Sequence, residues 1–144
     1  MSEEINMDLA SGIAAFEGKH FSTAANLLAP LADNGDAEAQ YRMAIMCQNG
    51  LGRAQNDADA LRWMRLAAEQ GHPYAQHGMG FMYMQGECVE KNEAEAVKWM
   101  TMAADQGLPG SAITLGLMYE QGQGVEQDME KAQYWYKVAE ENQD

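Results

Sequence analysis

The feature of this sequence that most constrains its fold is an internal repeat of 36 residues. Three blocks follow one another without a gap, at residues 36–71, 72–107 and 108–143. Numbered from 1 to 36, the blocks share methionine at position 11, glycine at 15, alanine at 25, tryptophan at 28 and alanine at 32. Residues 7–35 fit the same frame with a shorter loop, so we interpret them as a degenerate first repeat.

Each block predicts two helices, here called helix A and helix B. Small or apolar residues at positions 4, 8, 11 and 12 form one helical stripe, and those at positions 25, 28, 29 and 32 form another. The glycine at position 15 predicts a left-handed end to helix A, and Pro73 and Pro109 suit its first turn. Asn56, Asn92 and Asp128 at position 21 predict N-caps for helix B.

A single helix pair cannot bury both stripes, so successive pairs must stack. The sequence therefore predicts an all-α fold, an α-solenoid of stacked antiparallel helix pairs that winds into a right-handed superhelix with an inner groove. We expect one domain over residues 1–144. Three tryptophans and twelve methionines could instead form an aromatic box or a soft-metal site, but nearly every methionine falls on a core stripe, which favours packing.

The composition limits the classes of partner. There are 22 acidic and 9 basic residues, a formal net charge of −13, which disfavours nucleic acid and anionic membrane surfaces and favours a basic partner. No window is apolar enough to span a membrane, and the first ten residues lack the features of a signal peptide. Cys47 and Cys88 form no CxxC pair. We therefore expect a cytoplasmic protein.

Two segments carry a family resemblance, AQHGMGFMYMQGECVEKNEAEAVKWMTMAADQG at residues 75–107 and SAITLGLMYEQGQGVEQDMEKAQYWYKVAEEN at residues 111–142. They resemble the Sel-one-like repeat family, a relative of the tetratricopeptide repeat, and the match extends over residues 36–143. Residues 7–35 are more similar to a plain tetratricopeptide repeat. Departures from the family pattern are Ala44, Cys47, Arg53 and Cys88. The resemblance implies a non-catalytic adaptor or scaffold that presents a concave surface to other proteins.

Helix A carries a second, largely apolar set at positions 6, 10 and 13, and the resemblance implies that this face lines the groove. Because the groove would bind an extended or helical peptide, we predict these partner contacts: Tyr41, Ile45, His77, Phe81, Met84, Ile113, Leu117 and Glu120. Alternatively, position 10 packs against the neighbouring helix A and is already buried. The sequence leaves both possibilities open, and positions 6 and 13 are the stronger candidates for exposure.

The sequence predicts no catalytic residue, cofactor site or metal site. His72 and His77 are five residues apart, which does not place both on one helix face. The glycine-rich loops follow no strand and precede no Lys-Ser/Thr pair. An enzyme that uses Cys88 or His77 is a third hypothesis, but neither residue has a visible base and orienting group. Cys47 replaces a packing tyrosine, so we expect a buried, inert thiol.

Two further hypotheses concern other surfaces. The chain could be a small acidic inhibitor or immunity protein that neutralises a basic toxin or enzyme through Glu126, Asp128 and Glu130. The last helix B has no capping helix after it, which predicts an open side. Either the natural protein continues beyond Asp144, or this side pairs with another molecule, as in a weakly associating homodimer. That open side would carry Tyr134, Trp135, Tyr136 and Val138.

Overall fold

The computed structural model describes residues 2–143, with side chains described from Met7 onward, and these residues form eight α-helices. They are α1 (Ser2–Glu17), α2 (Phe21–Asp33), α3 (Ala37–Asn49), α4 (Asp57–Glu69), α5 (Pro73–Gln85), α6 (Glu93–Asp105), α7 (Pro109–Gln121) and α8 (Met129–Glu141). They divide between two compact units, residues 1–72 with α1–α4 and residues 73–144 with α5–α8. The single-domain assignment and its repeat boundaries stay a prediction.

Within each unit, helices that are adjacent in the chain pack against one another. In residues 1–72, α1 packs on α2, α2 on α3 and α3 on α4. In residues 73–144, α5 packs on α6, α6 on α7 and α7 on α8. Each odd-numbered helix is a helix A and each even-numbered helix is a helix B. The prediction of an all-α fold built from packed helix pairs is confirmed.

The helix ends lie where capping chemistry places them. Gly50 and Gly122 end α3 and α7 in the left-handed conformation, with φ of 66° and 70°, whereas at the end of α1 the left-handed residue is Lys19 rather than Gly18. Helices α5 and α7 begin at their prolines. Each predicted N-cap of helix B accepts a hydrogen bond from the backbone N–H three residues ahead, at 3.0 or 3.1 Å; these caps are Asn56, Asn92 and Asp128.

Helix A approaches helix B most closely at position 9, where small residues lie. A Cβ atom added to Gly116 would overlap the ring of Tyr136, and one added to Gly80 would lie 2.8 Å from the Met100 side chain. Position 9 therefore faces position 29 across each of these pairs, and a backbone without a Cβ makes room for the large side chain. In the block of residues 36–71, Ala44 occupies this position and is fully buried.

The core consists of alanines and methionines from both helices, as the two stripes predict. Seven methionines are buried, which confirms packing as their role: Met43, Met46, Met64, Met79, Met82, Met100 and Met118. Trp63 and Trp135 are also buried, while Trp99 is half-buried. Because the stripes follow helical spacing, each helix turns one apolar face to its partner.

The loop between helix A and helix B contains a second left-handed residue, at position 17. Gly52 and Gly124 hold it in two repeats, with φ of 70° and 72°. A Cβ atom on Gly52 would lie 2.5 Å from the backbone of Phe21, so this turn sits directly on the start of α2. The block of residues 72–107 has Cys88 at the same position, with φ of 66°. This cysteine therefore adopts a conformation that favours glycine.

The contact at position 9 leads to a prediction about two matched substitutions. Gly116→Ala should lower the free energy of unfolding by about 1–3 kcal/mol, because the rigid Tyr136 ring must move aside. Gly80→Ala should change it by less than about 1 kcal/mol, since the flexible Met100 side chain can shift and alanine favours helix. Urea unfolding followed by circular dichroism measures both. Equal losses would contradict the importance of the ring.

The left-handed Cys88 leads to a second prediction. Cys88→Gly should be about 1 kcal/mol more stable than Cys88→Ala, because the cost of a Cβ in this conformation, about 1–2 kcal/mol, exceeds the entropic cost of glycine. Both variants lack the thiol, so their difference isolates the backbone. Chemical denaturation under reducing conditions gives the comparison, and an alanine variant as stable as the glycine variant would refute the prediction.

Candidate partner-binding surface

In residues 73–144, exposed apolar side chains gather on the two A helices, α5 and α7. Phe81, Ile113 and Leu117 are 40%, 39% and 42% exposed. Phe81 and Leu117 both occupy position 10, so the alternative that position 10 is buried is wrong for this unit. The same two helices contain a single Asp, Glu, Lys or Arg residue, Glu120. The surface is thus apolar and nearly uncharged.

A pocket lies beside this surface, between the first turns of α5 and α7. It has a volume of about 270 Å³ and is lined by Tyr74, His77 and residues 108–111. His77 Nδ1 lies 2.7 Å from Ser111 Oγ, and Ser111 is fully buried. The two atoms share one hydrogen bond, in which either can be the donor according to the tautomer of the ring. This bond satisfies the buried Ser111 hydroxyl and fixes the orientation of the His77 ring.

The environment of His77 keeps its ring neutral. Burial lowers the pKa of His77 from its ordinary value of 6.5, because the charged imidazolium loses hydration when it is buried. The hydrogen bond with Ser111 is compatible with the neutral ring, whose Nδ1 can accept or donate according to its tautomer. The ring is thus a neutral polar group beside an apolar pocket.

The other predicted contacts of this unit are less accessible than expected. Met84 and Glu120, at position 13, are half-buried, and so is His77 at position 6. Only Ile113 among them is exposed, at 39%, so the expectation that positions 6 and 13 are the most exposed is wrong here. The Glu120 carboxylate accepts a hydrogen bond from the Tyr136 hydroxyl at 3.3 Å, which holds it toward α8.

Tyr41 and Ile45 belong to residues 1–72, where both are half-buried. The Tyr41 ring stacks on His72, with 4.8 Å between ring centroids and 27° between the planes. His72 Nε2 in turn lies 3.5 Å from a Glu38 carboxylate oxygen. Tyr41 is therefore held by the end of α4 and the first turn of α3. Its role as a partner contact stays a prediction.

Tyr74 and Ser111 were not among the predicted site residues. Tyr74, at position 3, is 57% exposed and precedes His77 by three residues, so both lie on one side of α5. This spacing could have identified Tyr74. Ser111 occupies position 4 of a core stripe, and its contact with His77 joins residues that are 34 apart in sequence. No local pattern indicates such a contact.

Two glutamine pairs also escaped the sequence analysis. The Gln70 amide donates to Gln40 Oε1 at 2.8 Å and to the Gly35 carbonyl at 2.9 Å, and Gln40 donates to the Ala32 carbonyl at 3.1 Å. A matching bond joins Gln106 to Gln76 at 2.8 Å. These pairs connect positions 5 and 35 of a repeat. They satisfy buried polar groups where helices end, which is a structural role.

The residues considered for catalysis occupy separate elements. His77 bonds to Ser111 on the helix-A surface, while Cys88 lies in the turn between α5 and α6. Cys47 is fully buried, and burial raises the pKa of its thiol. Among the residues that the structure describes, no group of three or more His, Cys, Asp or Glu side chains could hold a metal ion. Within the same residues, no helix has the length and apolar character needed to cross a membrane.

The acidic residues of the inhibitor hypothesis lie around the start of α8. The Asp128 carboxylate accepts the backbone N–H of Lys131 at 3.0 Å and so caps this helix. Glu126, Asp128 and Lys131 help to line a second pocket of about 320 Å³. Glu126 and Glu130 are exposed. Asp128 therefore has a structural task in addition to its charge.

The expectation that α8 has an open apolar side is wrong for most of the residues named for it. Trp135 is buried in a core cluster with Leu115 and Met100, and Val138 packs against the same cluster. Tyr136 is half-buried and faces Gly116. Of these four residues, only Tyr134 is exposed, at 59%. The apolar side chains of α8 turn inward because they complete the core that α6 and α7 begin.

Comparison with known proteins agrees with this architecture. A family model described as Sel1 repeat matches residues 37–72, 73–108 and 111–144. A protective antigen present in uropathogenic Escherichia coli strains, with an SLR fold, has 36% sequence identity and a TM-score of 0.79 over 81% of this chain and 25% of that chain. A Sel1 repeat protein from Oxalobacter formigenes has 31% identity and a TM-score of 0.89 over 94% of this chain and 56% of that chain.

The chain thus spans about a quarter of the first solved relative and somewhat more than half of the second. No curated protein matches it. Sel1 repeat proteins are generally scaffolds for protein–protein interaction and are typically non-catalytic adaptors. With three matched repeats over most of its length, and solved relatives of the same fold, this chain belongs to the Sel1 repeat family.

Proposed function

We propose that this chain is a non-catalytic adaptor that binds a protein or peptide partner through the helix-A surface of residues 73–144. The observation that carries the proposal is the exposure of Phe81, Ile113 and Leu117 on two helices that contain one carboxylate between them. Exposed apolar residues that cluster on a surface indicate binding, because isolated side chains would not repeat at equivalent positions. The protein has a net charge of −13, yet helices α5 and α7 contribute only the Glu120 carboxylate to it.

The pocket between α5 and α7 supports an anchored mode of binding. Its walls include Tyr74 and Leu108, so it suits an apolar side chain of the partner. The second ring nitrogen of His77, Nε2, would form a hydrogen bond with the backbone of the same segment, since Nδ1 is engaged by Ser111. One buried anchor with a single directed hydrogen bond gives both affinity and register. Phe81 and Leu117 would contact the neighbouring apolar residues of the partner.

The charge distribution defines the rest of the partner. The residues that contact α5 and α7 should be uncharged, since a charge there would lose hydration without gaining an opposite charge. Flanking basic residues are favoured, because the net negative charge of the protein steers them toward it. We therefore propose an apolar segment with basic flanks. Tyr41 and Ile45 as further contacts, and a cytoplasmic location, stay predictions.

The test is quantitative capture of partners from the native lysate by three tagged proteins. They are the unmodified protein, a Phe81→Asp/Leu117→Asp variant, and a Met102→Asp control. Met102 is 40% exposed, as Phe81 is, but it lies on α6 outside the proposed surface. We expect the double variant to lose at least about tenfold of the specific partner, because each apolar contact at a binding hot spot is worth about 2 kcal/mol. The control should retain the partner.

Circular dichroism establishes that the three proteins are equally folded before capture is compared. Cross-linking from a photoreactive residue at position 113 to the captured partner then locates the contact. A partner that is retained by the double variant, or lost equally by the control, would refute the assignment to this surface.

The acidic-inhibitor hypothesis predicts a different result. Its test is a Glu126→Lys/Asp128→Asn/Glu130→Lys variant. Asparagine at position 128 preserves the N-cap of α8, because Asn56 and Asn92 cap the equivalent helices α4 and α6. We expect this variant to retain the partner with little change in dissociation rate, since these residues lie outside α5 and α7. Loss of the partner in this variant alone would favour an acidic recognition face.

The neutral state of His77 gives a pH-dependent prediction. Because its pKa in the folded protein is below 6.5, the unfolded chain binds more protons as the pH falls through that value, and folding becomes less favourable. Between about pH 7.5 and about pH 5.5, the unmodified protein should therefore lose more stability than a His77→Gln variant, by at most about 1.4 kcal/mol per pH unit. The loss should level off below the lowered pKa. Urea titrations at several pH values test this, and parallel curves would contradict it.

A further inference from the structure

The face of helix B that meets the following helix A has a characteristic composition. In residues 73–144, Ala104 of α6 lies in one cluster with Ala112 and Leu115 of α7, and Val97 packs against it. In residues 1–72, the Ala32 carbonyl of α2 accepts the Gln40 amide of α3. Val97 occupies position 26 of its repeat, and Ala32 and Ala104 occupy position 33. These two positions form the stacking face.

Small or apolar residues hold positions 26 and 33 in the first three B helices. The pairs at positions 26 and 33 are Ala25 and Ala32 in α2, Leu61 and Ala68 in α4, and Val97 and Ala104 in α6. In α8 the same positions are Gln133 and Glu140, and both are exposed. Position 30 is charged in two B helices, with Arg65 in α4 and the exposed Lys137 in α8, whereas α6 has Thr101 there. The replacement of small or apolar residues by polar ones at positions 26 and 33 is specific to α8. The core stripe of α8 is unchanged in character, since Ala132, Trp135 and Ala139 are buried.

We infer that the polar residues Gln133 and Glu140 of α8 prevent a second copy of this chain from stacking on this helix. Burial of the Glu140 carboxylate and the Gln133 amide against an apolar helix would remove their hydration without supplying partners, at a cost that stacking contacts do not recover. The inference replaces the sequence-based prediction of a homodimer through this helix.

The test is the molar mass of three proteins by light scattering over a range of concentrations. The unmodified protein should be monomeric throughout. A Gln133→Val/Lys137→Thr/Glu140→Ala variant, which carries the α6 residues, should associate as concentration rises. A Glu130→Ala/Glu141→Ala control removes two charges from the same helix outside positions 26, 30 and 33 and should stay monomeric. Circular dichroism confirms that all three are equally helical.

Two outcomes would overturn the inference. One is a triple variant that stays monomeric like the unmodified protein, which would mean that these side chains do not control stacking. The other is an unmodified protein that associates and becomes monomeric on Gln133→Lys/Glu140→Lys substitution, which would place the interface on α8. An association that survives this substitution would use another surface and would support the inference that nothing stacks on α8.

Discussion

The close approach of helix A to helix B at position 9 is the constraint on which the remaining structure depends. Where glycine lies opposite Tyr136 or Met100, the larger side chain rests directly on the helix backbone. The two helices can then bury their alanine and methionine stripes with few voids. Because the core stripe of helix A is buried against helix B, the exposed apolar residues of helix A lie beside that stripe. The apolar surface of α5 and α7 is therefore a product of the same packing.

The separation of charge from that surface also has a structural origin. Carboxylates are concentrated near the starts of the B helices, where Asp59, Glu95 and Glu130 lie in the first turns. Acidic residues are favourable there because they face the positive end of the helix dipole. Helix A begins instead with proline in α5 and α7 and carries few charges. A very acidic protein can thus have a nearly uncharged apolar surface on its A helices, because helix capping places the carboxylates on its B helices.

The fold was predictable from the sequence, because each of its determinants is local. Position 15 glycines, the caps at position 21 and the helical stripes act within a few residues, and the structure has them where expected. The site was predictable only in part. Exposure of Phe81 and Leu117 depends on how neighbouring helices lie, and the contact of His77 with Ser111 joins different repeats. A repeat pattern describes the residues that the repeats share, whereas the polar residues Gln133 and Glu140 of α8 are a departure from that pattern.

The glutamine pairs join the ends of some helices but not of others. Gln70 connects the end of α4 with both α3 and the turn after α2, so opening one of these ends also breaks a bond at another. In the last repeat, Ala112 and Asn142 occupy the two positions, and the Asn142 amide bonds back to Val138 of its own helix. The end of α8 therefore lacks the glutamine bond that joins the end of α4 to α3. We expect local opening to cost less free energy there, so amide hydrogens in this last turn should exchange with solvent before those at the end of α4.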